Sequence, residues 1–229
     1  MKNGSAWLMM ATFQRTVLEA NPDVYYGERL NSYTHLLGAV ASCAGLALLV
    51  VLAAPQGDVW KLVSVSIYGA TLVLLYLSST LYHSVRGRAK PFLARLDHSA
   101  IFLLIAGTYT PFTLVTLRGS WGWTLFGLVW GLAVLGIVVD ALHRRGARRI
   151  LPLLIHIVMG WLVVIALKPL LHALPRAGVL WLVAGGLFYT VGVIFYVLDK
   201  RLRHAHGIWH LFVLAGSVCH FLAVLLYVL

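Results

Sequence analysis

Two histidines at the start of the last apolar stretch of the chain have the spacing of metal ligands. His206 and His210 lie four residues apart in the segment HAHGIWHLFVLAGSVCHFLAVLLYVL. On a helix, four residues turn by about 400° and rise by about 6 Å, so both imidazoles point the same way and can bind one ion. The pair predicts half of a metal site, and the remaining ligands must come from other parts of the chain.

The composition places these histidines in an integral membrane protein. Of the 229 residues, 61% are hydrophobic and 11% are charged, and the mean hydropathy is +0.88. Such values lie far outside the range of soluble globular domains. Apolar windows free of Lys, Arg, Asp and Glu occur at 36–54, 62–82, 99–117, 119–139, 150–167, 177–198 and 207–229. Each is close to the roughly 20 residues that a helix needs to cross the hydrocarbon core.

The windows predict an all-α integral membrane protein, folded as a bundle of seven transmembrane helices. They lack the alternation of barrel strands and exceed the roughly 10 residues that such strands need. The predicted spans are 33–54, 60–83, 97–117, 119–142, 150–172, 177–198 and 206–229. Short connections containing Pro and Gly leave no room for a second folded domain, so residues 31–229 are predicted to form one membrane domain.

The basic residues predict the orientation of the bundle. Of the 18 lysines and arginines, only Lys61, Arg118, Lys168 and Arg176 fall on one side of the predicted topology. By the positive-inside rule, the N-terminus is expected to be cytoplasmic and the C-terminus outside. The net charge of +11 then reflects juxtamembrane loops near anionic lipid headgroups, and no nucleic-acid partner is expected. Residues 1–30 are predicted to be a cytoplasmic or interfacial segment, with no signal peptide.

Within this topology, polar residues from four distant segments reach the cytoplasmic level of the membrane. They are Glu28, Asn31 and His35 entering the first span, Ser79 and His83 ending the second, Asp97 opening the third, and His206 and His210 in the seventh. Ionisable groups inside a membrane are costly and by default indicate a functional site. The sequence therefore predicts one shared polar site.

The residue types favour zinc, which binds neutral imidazole and often keeps a water beside three protein ligands in catalytic sites. We predict His83, His206 and His210 as ligands. Asp97 is then placed to orient the bound water and accept its proton, and Ser79 to bind water or substrate. Because zinc lowers the pKa of its water to about 7, such a site would suit hydrolysis of a lipid amide or ester. Other borderline divalent metals stay open.

Several of these residues also have simpler explanations. Asp97 could cap the third helix, and Ser79 could bond its own helix backbone. Glu28, Asn31 and His35 could serve as capping and interfacial polarity rather than as support for the ligands. The histidines nearest the headgroups could simply be solvated. Their joint placement at one level of the membrane favours metal binding.

Three further residues carry predictions of their own. His98, next to Asp97, is a reserve ligand that would point about 100° away from it. His220 lies about 15 Å beyond His210, too far to share the metal, and it either lines a cavity or bonds a neighbouring helix. Pro111 is predicted to kink the third span and open a lipid-accessible cavity.

The ordered motifs resemble the hemolysin III family, the bacterial branch of the progestin and adiponectin receptor superfamily. The signatures are E-x-x-N-x-x-x-H at Glu28, Asn31 and His35, S-x-x-x-H followed by Asp at Ser79, His83 and Asp97, and H-x-x-x-H at His206 and His210. The resemblance covers nearly the whole chain. It implies seven helices in a bacterial inner membrane, zinc on the three histidines with the Asp reaching it through water, and a distant relation to alkaline ceramidases, which are zinc-dependent membrane amidases.

Two hypotheses about function follow. The first is a zinc hydrolase of acyl-lipid amides or esters. The second is a non-catalytic membrane sensor or regulator of lipid state or membrane energetics, in which zinc joins the second and seventh spans. Membrane lipids are the expected partners, and the oligomeric state stays open. A transporter or lytic channel is less favoured, because the polar residues gather at one face instead of crossing the membrane. A retinal protein would need a lysine in 207–229, which has none.

Overall fold

The chain folds into a bundle of helices, as described by a computed structural model over residues 26–142 and 149–229. Among these residues no strand occurs. The α-helices are α1 (Tyr26–Ala53), α2 (Val59–Ser84), α3 (Lys90–Pro111), α4 (Ser120–Ala141), α5 (Ile150–Trp161), α6 (Leu167–Ala173), α7 (Arg176–Val197) and α8 (Ala205–Tyr227).

Seven helical segments in the described part of the chain are long and apolar enough to cross a membrane. The fifth consists of α5, a 3₁₀ turn at Leu162–Ala166, and α6. This confirms the predicted seven-helix class. Most of the segment predicted to lie at the membrane surface, residues 1–25, falls outside the described residues. The orientation inferred from loop charges stays a prediction.

The third helix begins earlier than the sequence suggested. The predicted span started at 97, whereas α3 begins at Lys90 and has a proline in its first turn, a position that suits proline because its missing N–H would be unpaired there anyway. Hydropathy alone missed this start because Lys90 and Arg95 interrupt the apolar run in the first turns of α3. Asp97 therefore lies inside the helix, and the explanation of Asp97 as a helix cap is wrong.

Glycines let the central helices approach closely. A Cβ added at Gly107 on α3 would lie 2.1 Å from Thr71 Oγ1 on α2, and one at Gly38 on α1 would lie 2.5 Å from the Tyr76 ring. Small residues at helix contacts are typical of membrane bundles, where close packing replaces the hydrophobic effect between helices. α2 and α3 are also the most buried spans. They form the centre on which the polar residues are mounted.

The third and fifth spans are irregular where they lie side by side. After Pro111, α3 continues as a π-helical turn over Phe112–Thr116, and α5 gives way to its 3₁₀ turn after Trp161. The Tyr109 hydroxyl accepts a hydrogen bond from Val163 N–H at 2.9 Å and donates to the Gly160 carbonyl at 3.2 Å. The hydroxyl therefore satisfies two backbone groups that have lost a helical partner where the fifth span is interrupted. After Pro111 the structure has a change of helix type, and the predicted kink that opens a lipid-accessible cavity there stays a prediction.

The close approach at Gly107 can be measured by adding one methyl group. We expect Gly107→Ala to lower the thermal unfolding midpoint in detergent, because overpacking of a tight contact costs about 1–3 kcal/mol. Gly131→Ala on α4 is the matched control, since a Cβ there meets nothing within 4 Å. The control should be neutral or slightly stabilising, because Ala favours a helix over Gly by about 1 kcal/mol. Equal midpoints for the two variants would contradict the packing.

Candidate metal site

Three histidines from two segments that are far apart in the sequence meet at one end of the bundle. His83 lies in the last turn of α2, and His206 and His210 occupy successive turns at the start of α8. One ring nitrogen from each lies within 4.8 Å of those of the other two. Around a zinc ion with Zn–N bonds of about 2.0–2.1 Å, the nitrogens would be about 3.3 Å apart, so a small inward movement closes the site. The three histidines could hold a metal ion.

The tautomers of two of these rings are set by acceptors on α1. His210 Nδ1 donates to the Asn31 carbonyl at 3.2 Å, and His83 Nδ1 contacts the Glu28 carboxylate, which Lys90 Nζ approaches to 3.5 Å. Because a carbonyl can only accept, the proton of His210 is on Nδ1 and its Nε2 carries the free lone pair. The Nε2 atoms of His83 and His210 are buried, with no hydrogen-bond partner in the described part of the chain.

This is the pattern expected of metal-binding histidines, in which one nitrogen donates to an acceptor and the other binds the ion. His206 is similar but more open. It is half-buried, and its Nδ1 lies 3.6 Å from the Asp199 carboxylate. Asp199 belongs to the turn between α7 and α8. That turn ends at His204, whose backbone is left-handed with φ of 64°, a conformation that His adopts more readily than most residues.

His35 and Ser79 form a second layer behind His210. The His35 ring stacks on the His210 ring with centroids 3.6 Å apart, and its Nδ1 hydrogen-bonds Ser79 Oγ at 2.7 Å. Ser79 is thus joined to another helix, and the alternative that it bonds only its own backbone is not what the structure contains. On α8, a Cβ at Gly207 would lie 2.6 Å from Leu30, so a glycine is needed there for α8 to reach α1.

Asp97 lies beside the histidines but does not belong to the group of three candidate ligands. Its carboxylate is buried, at 7% exposure, and it is close to both His83 and Ser79. α3 brings it to this level from the opposite side of α2. A carboxylate next to a metal group, but outside it, is positioned to hydrogen-bond a metal-bound water.

Two cavities lie near the site, and His83 and His206 line one of them. The first, which we call the polar pocket, measures about 380 Å³ and is lined by Glu28, Asn31, Tyr82, His83, Asp199 and His206 among others. The second, the apolar cavity, measures about 170 Å³ and extends into the bundle past Leu75, Ile101, Leu104, Leu153, Val193 and Val213. Asp97, His98, Tyr196 and Trp209 belong to the walls of both. A bound molecule could therefore place an apolar part in one cavity and a polar part in the other.

A polar cluster that the sequence did not reveal lies at the same junction. Arg149 Nη1 donates to Asp140 Oδ1 at 2.9 Å and contacts His98 Nδ1. His98, the reserve ligand, therefore pairs with Arg149 and lies outside the metal group. The available signal was that Asp140 ends the fourth span and Arg149 opens the fifth at the level of Asp97. The remaining arginines of this basic loop fall at 144–148, outside the described residues.

The chain is similar to known proteins over most of its length. A family model described as "Haemolysin-III related" matches residues 25–221. The chain is 46% identical to Hemolysin-3 of Bacillus cereus, over 88% of this chain and 92% of that protein. It is also 46% identical to a Hemolysin-3 homolog of Bacillus subtilis (strain 168), over 87% and 93%. The human Monocyte to macrophage differentiation factor is 28% identical over 87% of this chain and 83% of its own length.

The geometry of the histidines predicts the metal content of the purified protein. We expect about one zinc per wild-type chain by elemental mass spectrometry, and a loss of most of it in His210→Ala. His172→Ala is the matched control, because His172 is exposed on α6 and outside the metal group. If wild type and His210→Ala retain the same amount of metal, the site is not formed by these histidines.

Proposed function

The chain belongs to the haemolysin-III related family and is a multi-pass bacterial membrane protein, and from that premise we propose that it is a zinc-dependent hydrolase of lipid amides or esters. One observation carries the proposal. His83 and His210 present buried, unpartnered Nε2 atoms; His83 and His206 line the polar pocket, and the buried Asp97 close to His83 belongs to the walls of both the polar pocket and the apolar cavity.

His83, His206 and His210 would hold the zinc, which when bound acts as a Lewis acid and lowers the pKa of its water to about 7. Glu28 and Asn31 would hold two of the rings in the binding tautomer. Such supporting contacts typically change metal affinity by 10–100-fold. Glu28 acts through its side chain and Asn31 through its backbone carbonyl.

Asp97 would act as the general base and then as the general acid. It accepts a proton from water as the water oxygen bonds to the carbonyl carbon. It returns the proton to the leaving nitrogen or oxygen as the C–N or C–O bond breaks. The products are a fatty acid and an amine or alcohol. Ser79 lies beside Asp97 and is held by His35 at 2.7 Å, where it can orient Asp97 or the substrate carbonyl.

The two cavities suit the two parts of a lipid. The apolar cavity would accept the acyl chain and the polar pocket the headgroup that leaves. Ile157 and Trp161 belong to the cavity wall and are 39% and 43% exposed on the surface of the bundle. A lipid could therefore enter sideways from the bilayer between α5 and α7, without passing through water.

Arg149 supplies hydrogen-bond donors next to the scissile bond. Its Nη1 is held by Asp140, whereas within the described residues its Nε and Nη2 form no hydrogen bond. Arg149 lines the apolar cavity together with Asp97. Guanidinium binds carboxylate with short, charge-assisted bonds, so Arg149 would bind the carbonyl oxygen of the substrate and the carboxylate of the product.

Asp97→Asn separates catalysis from metal binding. We expect hydrolysis of an N-acyl amine lipid in detergent to fall by roughly 100-fold or more, the usual size of a general-base contribution, while the zinc content stays at the wild-type level. Asp58→Asn is the control. Asp58 caps α2 at the opposite end of the bundle, and Asn caps a helix equally well. A metal-loaded Asp97→Asn protein with full activity would rule out this mechanism.

The variant Arg149→Leu tests whether this guanidinium binds the carboxyl group of the acyl chain. We expect inhibition by a free fatty acid to weaken by about tenfold, because a lost hydrogen bond to a charged group is worth about 1.5–3 kcal/mol. The zinc content should not change. Arg118→Leu is the control, since Arg118 lies over the Trp60 ring, 5.2 Å from its centroid, away from the cavities. Unchanged inhibition in Arg149→Leu would place the carboxyl group elsewhere.

A second candidate function is a non-catalytic sensor or regulator with structural zinc. It is favoured by the fact that the histidines join α2 to α8, two helices far apart in sequence, so a bound ion would tie them together. In that case Asp97→Asn would leave both metal and cellular phenotype intact. The word hemolysin in the relatives' names refers to cell lysis. Cell lysis is not proposed for this chain, because its described spans are long apolar helical segments rather than the amphipathic segments of a surface-active protein.

A further inference from the structure

The inner face of α8 continues past the metal site into the membrane interior. His206, His210, Val213, Ser217 and His220 are spaced by four, three, four and three residues, so they share one face of the helix. Val213 and His220 line the apolar cavity. From His210 to His220 the helix rises by about 15 Å. The apolar cavity thus has an ionisable side chain at its far end that the proposed hydrolysis does not use.

The hydrogen-bond state of His220 is determined by one contact. Its Nε2 lies 3.2 Å from the Leu182 carbonyl on α7. Because a carbonyl only accepts, Nε2 carries the proton and Nδ1 is left as an acceptor. Nδ1 is buried and receives no hydrogen bond from any residue that the structure describes. The imidazole therefore needs a hydrogen-bond donor at Nδ1.

A glycine on the neighbouring helix makes room for this ring. A Cβ added at Gly185 on α7 would lie 2.3 Å from His220 Cδ2 and 2.4 Å from its Nε2. No real side chain tolerates contacts this short, so Gly185 is required for the imidazole to fit where it does. The fold thus admits a polar ring at a depth where an apolar side chain would cost less.

The other polar side chains around His220 are already occupied with one another. Tyr189, whose ring centroid lies 5.4 Å from that of His220, hydrogen-bonds Ser217 Oγ at 2.8 Å. Ser217 also accepts from the Tyr76 hydroxyl at 2.6 Å. The cavity therefore ends at a polar group with hydrogen-bonding capacity left over.

We propose that the far end of the apolar cavity recognises a hydroxyl group on the chain of the bound lipid, which donates to His220 Nδ1. A hydroxyl is the donor that an otherwise apolar chain can carry into a membrane interior at low cost, compared with an ammonium or an amide. The inference rests on the proposed function, in that the same cavity holds the acyl chain. It names the substrate class as acyl lipids with a hydroxyl on the distal part of the chain.

The test compares two fatty acids that differ in one hydroxyl. Binding of stearate and of stearate hydroxylated on its distal half is measured by calorimetry with the full-length, detergent-purified protein, so turnover is not needed. We expect the hydroxylated acid to bind about tenfold more tightly to wild type, as when a buried polar group gains its partner. In His220→Leu the preference should disappear while stearate affinity stays. His220→Asn, whose amide oxygen takes the place of Nδ1, should keep it.

The outcomes distinguish this inference from the proposed function. If stearate binds but the hydroxyl makes no difference in wild type, His220 has no role in recognition, for example because a water occupies Nδ1, and the proposed hydrolase stands. If neither acid binds, both fall. A preference that persists in a folded His220→Leu protein also overturns the inference. His172→Leu, an exposed histidine of the fifth span, controls for loss of an imidazole. Should His220→Leu not fold, a wild type without a preference still overturns the inference, and a preference retained in His220→Asn supports it.

Discussion

The absence of water inside a bilayer is the constraint on which this structure depends. A polar group there must find a partner within the protein or bear a cost that few folds tolerate. In the candidate metal site, His83 and His210 each have a partner at only one of their two ring nitrogens. Glu28 and Asn31 on α1 satisfy the Nδ1 atoms of His83 and His210. The Nε2 atoms are left over at the same place, which is the strongest physical reason to expect an ion between them.

Close helix packing makes this arrangement possible. α1 supplies the acceptors, α2 and α8 the histidines, and α3 the carboxylate of Asp97. Gly207 admits α1 against α8, and Gly107 admits α2 against α3. In a membrane such contacts have to come from shape, because lipid tails are as apolar as the side chains they compete with. The close helix contacts therefore position the residues of the site.

The sequence predicted the number of spans and gathered the ligands, but it did not predict their partners. Window hydropathy located seven spans, and loop charges brought His83, Asp97, His206 and His210 to one level of the membrane. The start of α3 at Lys90 was missed because its first turns contain two basic residues, Lys90 and Arg95. Which residue faces which depends on the rotation of each helix about its axis, which loop lengths and charges do not determine. The pairing of His35 with Ser79 therefore required the structure.

The same reason explains why the pairing of Arg149 with Asp140 was missed, since their shared level in the membrane does not determine that the two side chains face each other. Zinc coordination is most directly measured by X-ray absorption at the zinc K-edge of the purified wild-type protein. The structure predicts three imidazole nitrogens and one oxygen at about 2.0–2.1 Å. A spectrum with sulfur at about 2.3 Å, or with six oxygen neighbours and no imidazole, would contradict a three-histidine site that keeps a position open for water.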